Sequence, residues 1–168
     1  MRSEWIPKGE IEHVLAALTP PNRLACEISL ATGLRIGDVL ALKTAQLKER
    51  FTIHEQKTGK TRTIRMPKGL LDRALAQAGH IYVFPHRTDG KRHRTRQAVF
   101  KDLRRAAKLF RVSAHVSPHS LRKIFAVDYL DKTRSLARVQ RLLNHADEAV
   151  TMIYAMADRV DNATRRGV

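Results

Sequence analysis

The chain has 168 residues, of which 43% are hydrophobic and 29% are charged, a composition typical of one folded domain and not of a disordered chain. No apolar run approaches the ~18 residues that span a bilayer, and the first residues lack the apolar segment of a secretory signal, so we expect a cytoplasmic protein. Lysine and arginine total 32 against 16 acidic residues, a formal net charge of +16. This surplus favours a nucleic acid as partner, whereas a membrane surface is not expected, because no single helix is both strongly basic and strongly amphipathic.

The first part of the chain predicts three helices. Pro7 and Lys8 open the first helix, Pro20 opens the second, and Gly33 supplies a left-handed turn that ends the second. A short third helix follows Arg35. The apolar residues expected in the core are Ile11, Val14, Leu15, Leu18, Leu24, Ile28, Leu30, Val39, Leu40 and Leu42, together with the lone cysteine, Cys26.

Arg35 lies at the junction between the second and third helices, where a buried guanidinium needs a partner. One interpretation pairs it with Asp38, three residues later. The other pairs it with a bound phosphate, and the residues themselves favour neither.

The period of the pattern then changes. Polar and apolar residues alternate in 50–55 and 62–66, which predicts a β-hairpin with Lys57 and Lys60 at a basic tip. A helix from about Gly69 to Ala78 follows, and Gly79 ends it.

The densest basic segment of the chain is 86–96, with Gly90 as its turn. It is either a flexible solvated loop or a loop that follows the phosphates of a nucleic acid. Before it, Tyr82–Phe84 is either a short strand or a buried extended segment. After it, the pattern predicts a helix from about Thr95 to Leu109.

Chemistry-bearing residues concentrate near the C-terminus. Pro118 opens a helix on which His119 and Arg122, three residues apart, share one face. A following helix, 136–143, ends at an asparagine that tolerates a left-handed conformation, so His145 would point out of the helix end.

Tyr154 lies in a short apolar run, where a phenol needs a partner or a purpose. We expect no metal and no cofactor, because the histidines have no chelating spacing and the sequence lacks the acidic clusters that hold Mg²⁺.

Five motifs in this order resemble the tyrosine recombinase (phage integrase) family over residues 8–155. They are Thr-Gly-Leu-Arg-Ile-Gly-Asp around Arg35, Lys-Thr-Gly-Lys in the hairpin, His-Ser-Leu-Arg at 119–122, Leu-Leu-Asn-His ending at His145, and Tyr154. Each motif alone is weak, but five in order on suitable elements are specific. The resemblance implies an α+β fold that is mainly helical with a small antiparallel hairpin sheet.

The resemblance implies strand transfer through a 3′-phosphotyrosyl intermediate, without metal or ATP. Tyr154 would attack a DNA phosphate, His119 would help to move the tyrosine proton, and Lys57 would protonate the leaving 5′-oxygen. A phenol with a pKa of ~10 is a poor nucleophile at neutral pH, so it needs adjacent cations or a base.

The same resemblance implies that Arg35, Arg122 and His145 hold the phosphate and that Asp38 orients Arg35. Charge builds up on the phosphate oxygens during transfer, and the planar fork of arginine matches two of them while staying charged at any working pH.

The implied partner is double-stranded DNA, bound by a homotetramer on two duplexes. Further cations assigned to DNA are Lys60, Arg87, Lys91, Arg92, Arg94, Arg96 and Lys123.

We expect a catalytic domain over residues 1–155 and a short polar tail over 156–168. Only 34 residues precede Arg35, so the N-terminal DNA clamp common in the family is expected to be absent, with the chain a minimal domain, a fragment, or one whose clamp comes from an accessory partner. The family usually has glycine at position 144, where asparagine is the next best residue for a left-handed turn.

Two other functions use the same residues differently. A catalytically silent DNA-binding accessory protein would keep the fold and lose turnover, although all six presumed catalytic positions are filled. A type IB topoisomerase-like enzyme would share the chemistry and lack synapsis of two duplexes.

Overall fold

A computed structural model describes residue 6 and residues 8–143 of the chain. This part forms seven α-helices, one short 3₁₀-helix and one two-stranded antiparallel sheet, which confirms the predicted mainly helical α+β class. The α-helices are α1 Lys8–Ala16, α2 Pro20–Thr32, α3 Ile36–Leu40, α4 Lys68–Gln77, α5 Arg96–Leu109, α6 Pro118–Thr133 and α7 Leu136–Leu143, and the strands are β1 Arg50–His54 and β2 Thr61–Arg65.

The helix boundaries follow the prolines and glycines of the sequence. Pro20 and Pro118 stand in the first turns of α2 and α6, where a missing backbone N–H has no cost. Gly33 caps α2 with φ 67° and donates its N–H to the carbonyl oxygen of Ser29, 2.8 Å away. The predictions for these helix ends are confirmed, and the other described helices agree to within a few residues.

The hairpin has the predicted alternation. Arg50 pairs with Arg65 and His54 with Thr61, and the burial pattern along each strand is exposed, buried, exposed, buried, exposed. The segment Tyr82–Phe84 is the buried extended alternative: Val83 and Phe84 are fully buried, and the pairing of Tyr82 with Lys43 is an isolated bridge and not part of a strand.

The core lies around α2, which packs against α1, α3, α4, α5 and α6. All the apolar residues that the pattern assigned to it are buried except Leu30, which is half-buried at its edge, and Cys26 is fully buried as predicted. A smaller cluster around Val139 and Leu143 fixes α7 against α6. No helix in the described part of the chain combines the length and apolar composition needed to cross a membrane.

Asp102 on α5 fixes the N-terminus of α2. Its Oδ2 accepts hydrogen bonds from the backbone N–H and the hydroxyl of Thr19, both at 2.9 Å, and from the side-chain amide of Asn22 at 2.7 Å. Its Oδ1 accepts from Arg105 at 2.7 Å. A carboxylate at a helix N-terminus satisfies unpaired N–H groups and complements the helix dipole, so Asp102 joins two helices that are far apart in sequence.

Candidate active site

Arg122 is buried, with 4% of its surface exposed, and its guanidinium joins the ends of two helices. Nη1 donates to the carbonyl oxygen of Gly33 at 2.5 Å, and Nη2 donates to that of Leu143 at 2.8 Å. Carbonyls at helix C-termini lack partners within the helix and carry partial negative charge, so they stabilise a cation. Arg122 therefore fixes both the junction before Arg35 and the end of α7, two residues before His145.

The junction itself requires glycine. A Cβ on Gly33 would lie 2.3 Å from two ring carbons of Phe125, and the φ of 67° is in the left-handed region. The helix cap and the Phe125 ring against the α-carbon therefore fix Gly33, whose carbonyl oxygen accepts from Arg122.

Arg35 pairs with a residue of the hairpin. Its Nη1 donates to Oε2 of Glu55 at 2.9 Å, and 10% of the Arg35 side chain is exposed while that of Glu55 is fully buried. This corrects the interpretation in which Asp38 is the partner, because Oδ1 of Asp38 accepts from the backbone N–H of Gln56, at 2.9 Å. The physical reason is that Arg35 is the extended cap residue before α3, so the three-residue spacing does not place the two side chains on one helix face.

The two carboxylates have pKa values shifted in opposite directions. Burial alone would raise the pKa of Glu55, but the hydrogen bond from Thr58 and the charge and hydrogen bond of Arg35 outweigh it, so the net pKa is lowered. Burial dominates at Asp38 and raises its pKa. The charges of Arg35 and Arg122 act on both carboxylates, so the two guanidinium groups belong to one cluster.

Lys57 stands in the hairpin turn, two residues after the buried Glu55. Its side chain is exposed. The Glu55 N–H donates to the carbonyl oxygen of Lys60 at 2.9 Å, and the Gly59 N–H donates to that of Glu55 at 2.8 Å. The hydroxyl of Thr58 donates to Oε2 of Glu55 at 2.8 Å. The other neighbour of Lys57, Gln56, donates its backbone N–H to Asp38. Each neighbour of Lys57 therefore contacts a carboxylate beside the two arginines.

His119 lies in the first turn of α6 and is exposed, whereas Arg122 on the same helix is buried. The structure thus brings Arg35 and Arg122 together beside the turn that carries Lys57. The predictions for His145 and Tyr154, and for the asparagine before His145, fall outside the described residues.

Glu55 and Arg62 belong to the cluster, although the sequence interpretation assigned them no role. Arg62 donates from Nη2 to the carbonyl oxygen of Thr32 at 2.6 Å, and its Nη1 lies 3.7 Å from Oε1 of Glu55. The strand alternation carried the signal: Glu55 continues the buried positions of β1, and Arg62 is the first buried position of β2. A charged residue in a buried register needs a charged partner.

The cations assigned to DNA fall into two groups. Arg94 is half-buried and donates from Nε to Oδ1 of Asn22 at 2.6 Å, and Lys123 is half-buried on α6. The basic segment forms a turn around Gly90, closed by a 2.8 Å bond from the His86 N–H to the Arg92 carbonyl oxygen. The remaining side chains assigned to DNA are exposed: Lys60, Arg87, Lys91, Arg92 and Arg96.

Possible metal ligands do not converge in the described part of the chain, where no three His, Cys, Asp or Glu side chains lie together as a metal site requires.

Comparison with known proteins identifies the family to which this arrangement belongs. The phage integrase family profile matches residues 4–160. The chain is 31% identical to the tyrosine recombinase XerD of Ralstonia nicotianae over 175 residues, covering 92% of this chain and 56% of the relative. The chain belongs to the phage integrase family. It spans about half the length of the curated relatives it matches.

Solved structures share the fold. A lambda integrase (75–356) dimer bound to a COC′ core site matches with a TM-score of 0.75 and 22% identity, covering 90% of this chain and 59% of that one. A lambda integrase tetramer bound to a Holliday junction matches with a TM-score of 0.71 and 22% identity, covering 90% and 48%.

Proposed function

We propose that this chain is the strand-transferring domain of a site-specific DNA recombinase. The observation that carries the proposal is the arginine cluster: Arg35 and Arg122 are held around one helix junction, beside the turn that presents Lys57. Two fixed guanidinium groups supply the charge stabilisation that a phosphoryl transfer needs when it proceeds without metal.

The chemistry begins at Tyr154. Its phenolic oxygen attacks the phosphorus of a DNA phosphodiester, with His119 taking part in removal of the phenolic proton. The bond between phosphorus and the 5′-oxygen breaks, and Lys57 gives that oxygen a proton. Attack by the 5′-hydroxyl of another strand on the phosphotyrosine reverses the step and releases Tyr154, so the phosphodiester bond is conserved and no ATP is needed.

Arg35, Arg122 and His145 hold the non-bridging oxygens while charge develops on them. Arg122 is suited to this because its two carbonyl contacts fix the plane of its guanidinium before substrate arrives. Arg35 retains an exposed fraction of its side chain beside the buried Glu55.

The proposed partner is double-stranded DNA, bound as a homotetramer on two duplexes. The net charge of +16 supports a polyanion. The lambda integrase structures, a dimer on a core site and a tetramer on a Holliday junction, support the assembly. An accessory partner that supplies a DNA clamp is part of the proposal.

The decisive experiment traps the covalent intermediate. The protein is mixed, in EDTA, with a library of nicked suicide duplexes of randomised sequence, and denaturing gels then reveal protein-DNA adducts. Wild type should give an adduct and Tyr154→Phe none, while mobility shifts show equal DNA binding by both. Tyr129→Phe, which removes a hydroxyl from a tyrosine on α6, is the matched control and should form adduct like wild type.

Three results would count against the proposal. Adduct formation by Tyr154→Phe would remove Tyr154 as nucleophile, and a strict requirement for Mg²⁺ would contradict the metal-free mechanism. DNA binding without adduct in the wild type would favour the silent accessory protein.

A further inference from the structure

Glu55 is the residue on which the cluster converges. Its side chain is fully buried, and a single oxygen, Oε2, accepts hydrogen bonds from Arg35 at 2.9 Å and from the Thr58 hydroxyl at 2.8 Å. The other oxygen lies 3.7 Å from Nη1 of Arg62. One carboxylate therefore contacts a proposed phosphate-binding arginine, the turn of the proposed general acid, and a second buried arginine.

The charge of Glu55 is needed where it lies. Arg62 and Arg122 are buried and Arg35 nearly so, and burial followed by the charge of Arg122 lowers the pKa of Arg62. Like charges in a partly desolvated cluster repel one another strongly. A buried carboxylate among them lets the three guanidinium groups remain close before a phosphate arrives.

Glu55 also fixes the geometry of the turn. Its backbone N–H and carbonyl close the turn through Lys60 and Gly59, while its side chain holds Thr58. Lys57 lies between these fixed positions. Oε2 of Glu55 accepts from both Arg35 and Thr58, the residue after Lys57. This shared acceptor sets the distance between the guanidinium of Arg35 and the turn that carries Lys57.

We infer that Glu55 is a positioning residue that couples Arg35 to the turn carrying Lys57, acting on Lys57 through Thr58. The inference rests on the proposed function for its kinetic consequences. It adds to that function a residue that contacts no substrate and aligns two groups that do.

Two leaving groups distinguish the contact of Glu55 with Arg35 from its effect on Lys57 through Thr58. A duplex with sulfur in place of the bridging 5′-oxygen releases a thiolate, whose conjugate acid has a pKa of ~8.5 and needs no protonation to leave. Loss of a general acid therefore slows the oxygen substrate and spares the sulfur substrate. Loss of a phosphate contact slows both.

The test is the single-turnover rate of adduct formation on both substrates. Both carry a duplex sequence selected from the randomised library because the wild-type protein forms adduct on it. Thr58→Val keeps the shape of the side chain and removes the hydroxyl. Its rate of adduct formation should be about 10-fold below wild type on the oxygen substrate and within about 2-fold of wild type on the sulfur substrate. Lys57→Ala should show the same pattern with a larger loss on the oxygen substrate. Thr58→Ser keeps the hydroxyl and should restore the rate. Glu55→Gln, which also weakens the contact with Arg35, should lose about 100-fold on oxygen and recover only in part on sulfur.

Two kinetic results would overturn the inference. A wild-type rate for Thr58→Val on the oxygen substrate would show that the hydroxyl does not align Lys57. An equal loss of rate on the oxygen and sulfur substrates for Thr58→Val would show that the hydroxyl does not act on protonation of the leaving group. Thr58 lies in a surface turn, so its variants test the inference even where Glu55→Gln fails to fold.

Hydrogen exchange gives a readout that needs no activity. The Gly59 N–H is bonded to the Glu55 carbonyl, and Thr58→Val should speed its exchange at least about 10-fold while the amides of α5 are unchanged. Unchanged exchange at Gly59 would overturn the coupling. A wild-type chain that forms no adduct on either substrate would contradict the proposed function instead, and the exchange result would still decide the role of Glu55.

Discussion

Asp102 and Glu55 are two buried carboxylates that organise different regions of the molecule. Both have a lowered pKa because donated hydrogen bonds outweigh the effect of burial. Asp102 accepts its hydrogen bonds from Thr19 and Asn22 at a helix N-terminus and from an exposed arginine. Glu55 accepts from Arg35 and from a turn hydroxyl beside a lysine.

The difference lies in what the donors can do besides bind the carboxylate. The donors to Asp102 are mainly backbone and neutral groups that hold the start of α2 against α5, so these hydrogen bonds contribute to stability. Arg35, by contrast, is one of the two arginines proposed to hold the phosphate, and Glu55 sets its position. We therefore expect loss of Asp102 to lower the free energy of unfolding, and loss of Glu55 to lower the rate of strand transfer.

The largest effect on stability is expected from Asp102→Ala. It leaves the donors at the start of α2 without an acceptor, and removing one partner of a buried charged network costs about 3–5 kcal/mol. Urea denaturation should show this loss. Asp72→Ala, which removes an exposed pair with Lys68, is the matched control and should cost less than about 0.5 kcal/mol.

The same pair of variants can contradict the comparison. Asp102→Ala should form adduct at the wild-type rate per folded molecule when assayed well below its melting temperature. A specific loss of rate there would mean that Asp102 serves the site as well as the scaffold.

A second prediction asks how much stability the site region itself carries. Gly33→Ala introduces both a left-handed alanine, which costs about 1 kcal/mol, and a clash with the Phe125 ring that adds ~1–3 kcal/mol. Gly59 has nearly the same φ, 65°, and a Cβ added there would have no heavy atom within 4 Å. Gly59→Ala should therefore lower the free energy of unfolding only by the cost of a left-handed alanine, about 1 kcal/mol. Equal losses of free energy of unfolding would show that the ring moves aside without cost.

The smallest predicted effect is a difference in pH dependence. Asp102 has a folded pKa below its ordinary value of 3.8, so its contribution is present above that value and lost as pH falls through the folded pKa. Asp38 has a raised pKa, so its contribution has the opposite sign. Asp102→Asn should therefore flatten the loss of stability on acidification, and Asp38→Asn should steepen it.

Thermal unfolding between neutral pH and about pH 3 measures both slopes. Slopes that change in the same direction in the two variants would contradict the opposite pKa shifts of Asp38 and Asp102.

Local signals in the sequence were enough to predict most of the helices and strands and where they end. Helix periodicity, the prolines at 20 and 118, and Gly33 are local signals, because a missing N–H or a left-handed φ acts within one turn of the chain. The motifs around Arg35, Lys57 and Arg122 could also be found without coordinates, since each is contained within a few consecutive residues.

The partners of these residues depend on tertiary packing and could not be predicted from the sequence. Arg122 reaches a carbonyl 89 positions away, and Arg35 pairs with Glu55, 20 positions away, and not with Asp38 at a distance of three. Strand alternation shows that Glu55 is buried, but it does not show which cation shares its pocket. That choice depends on how the hairpin packs against the α2–α3 junction, and packing joins residues whose separation along the chain carries no local signal.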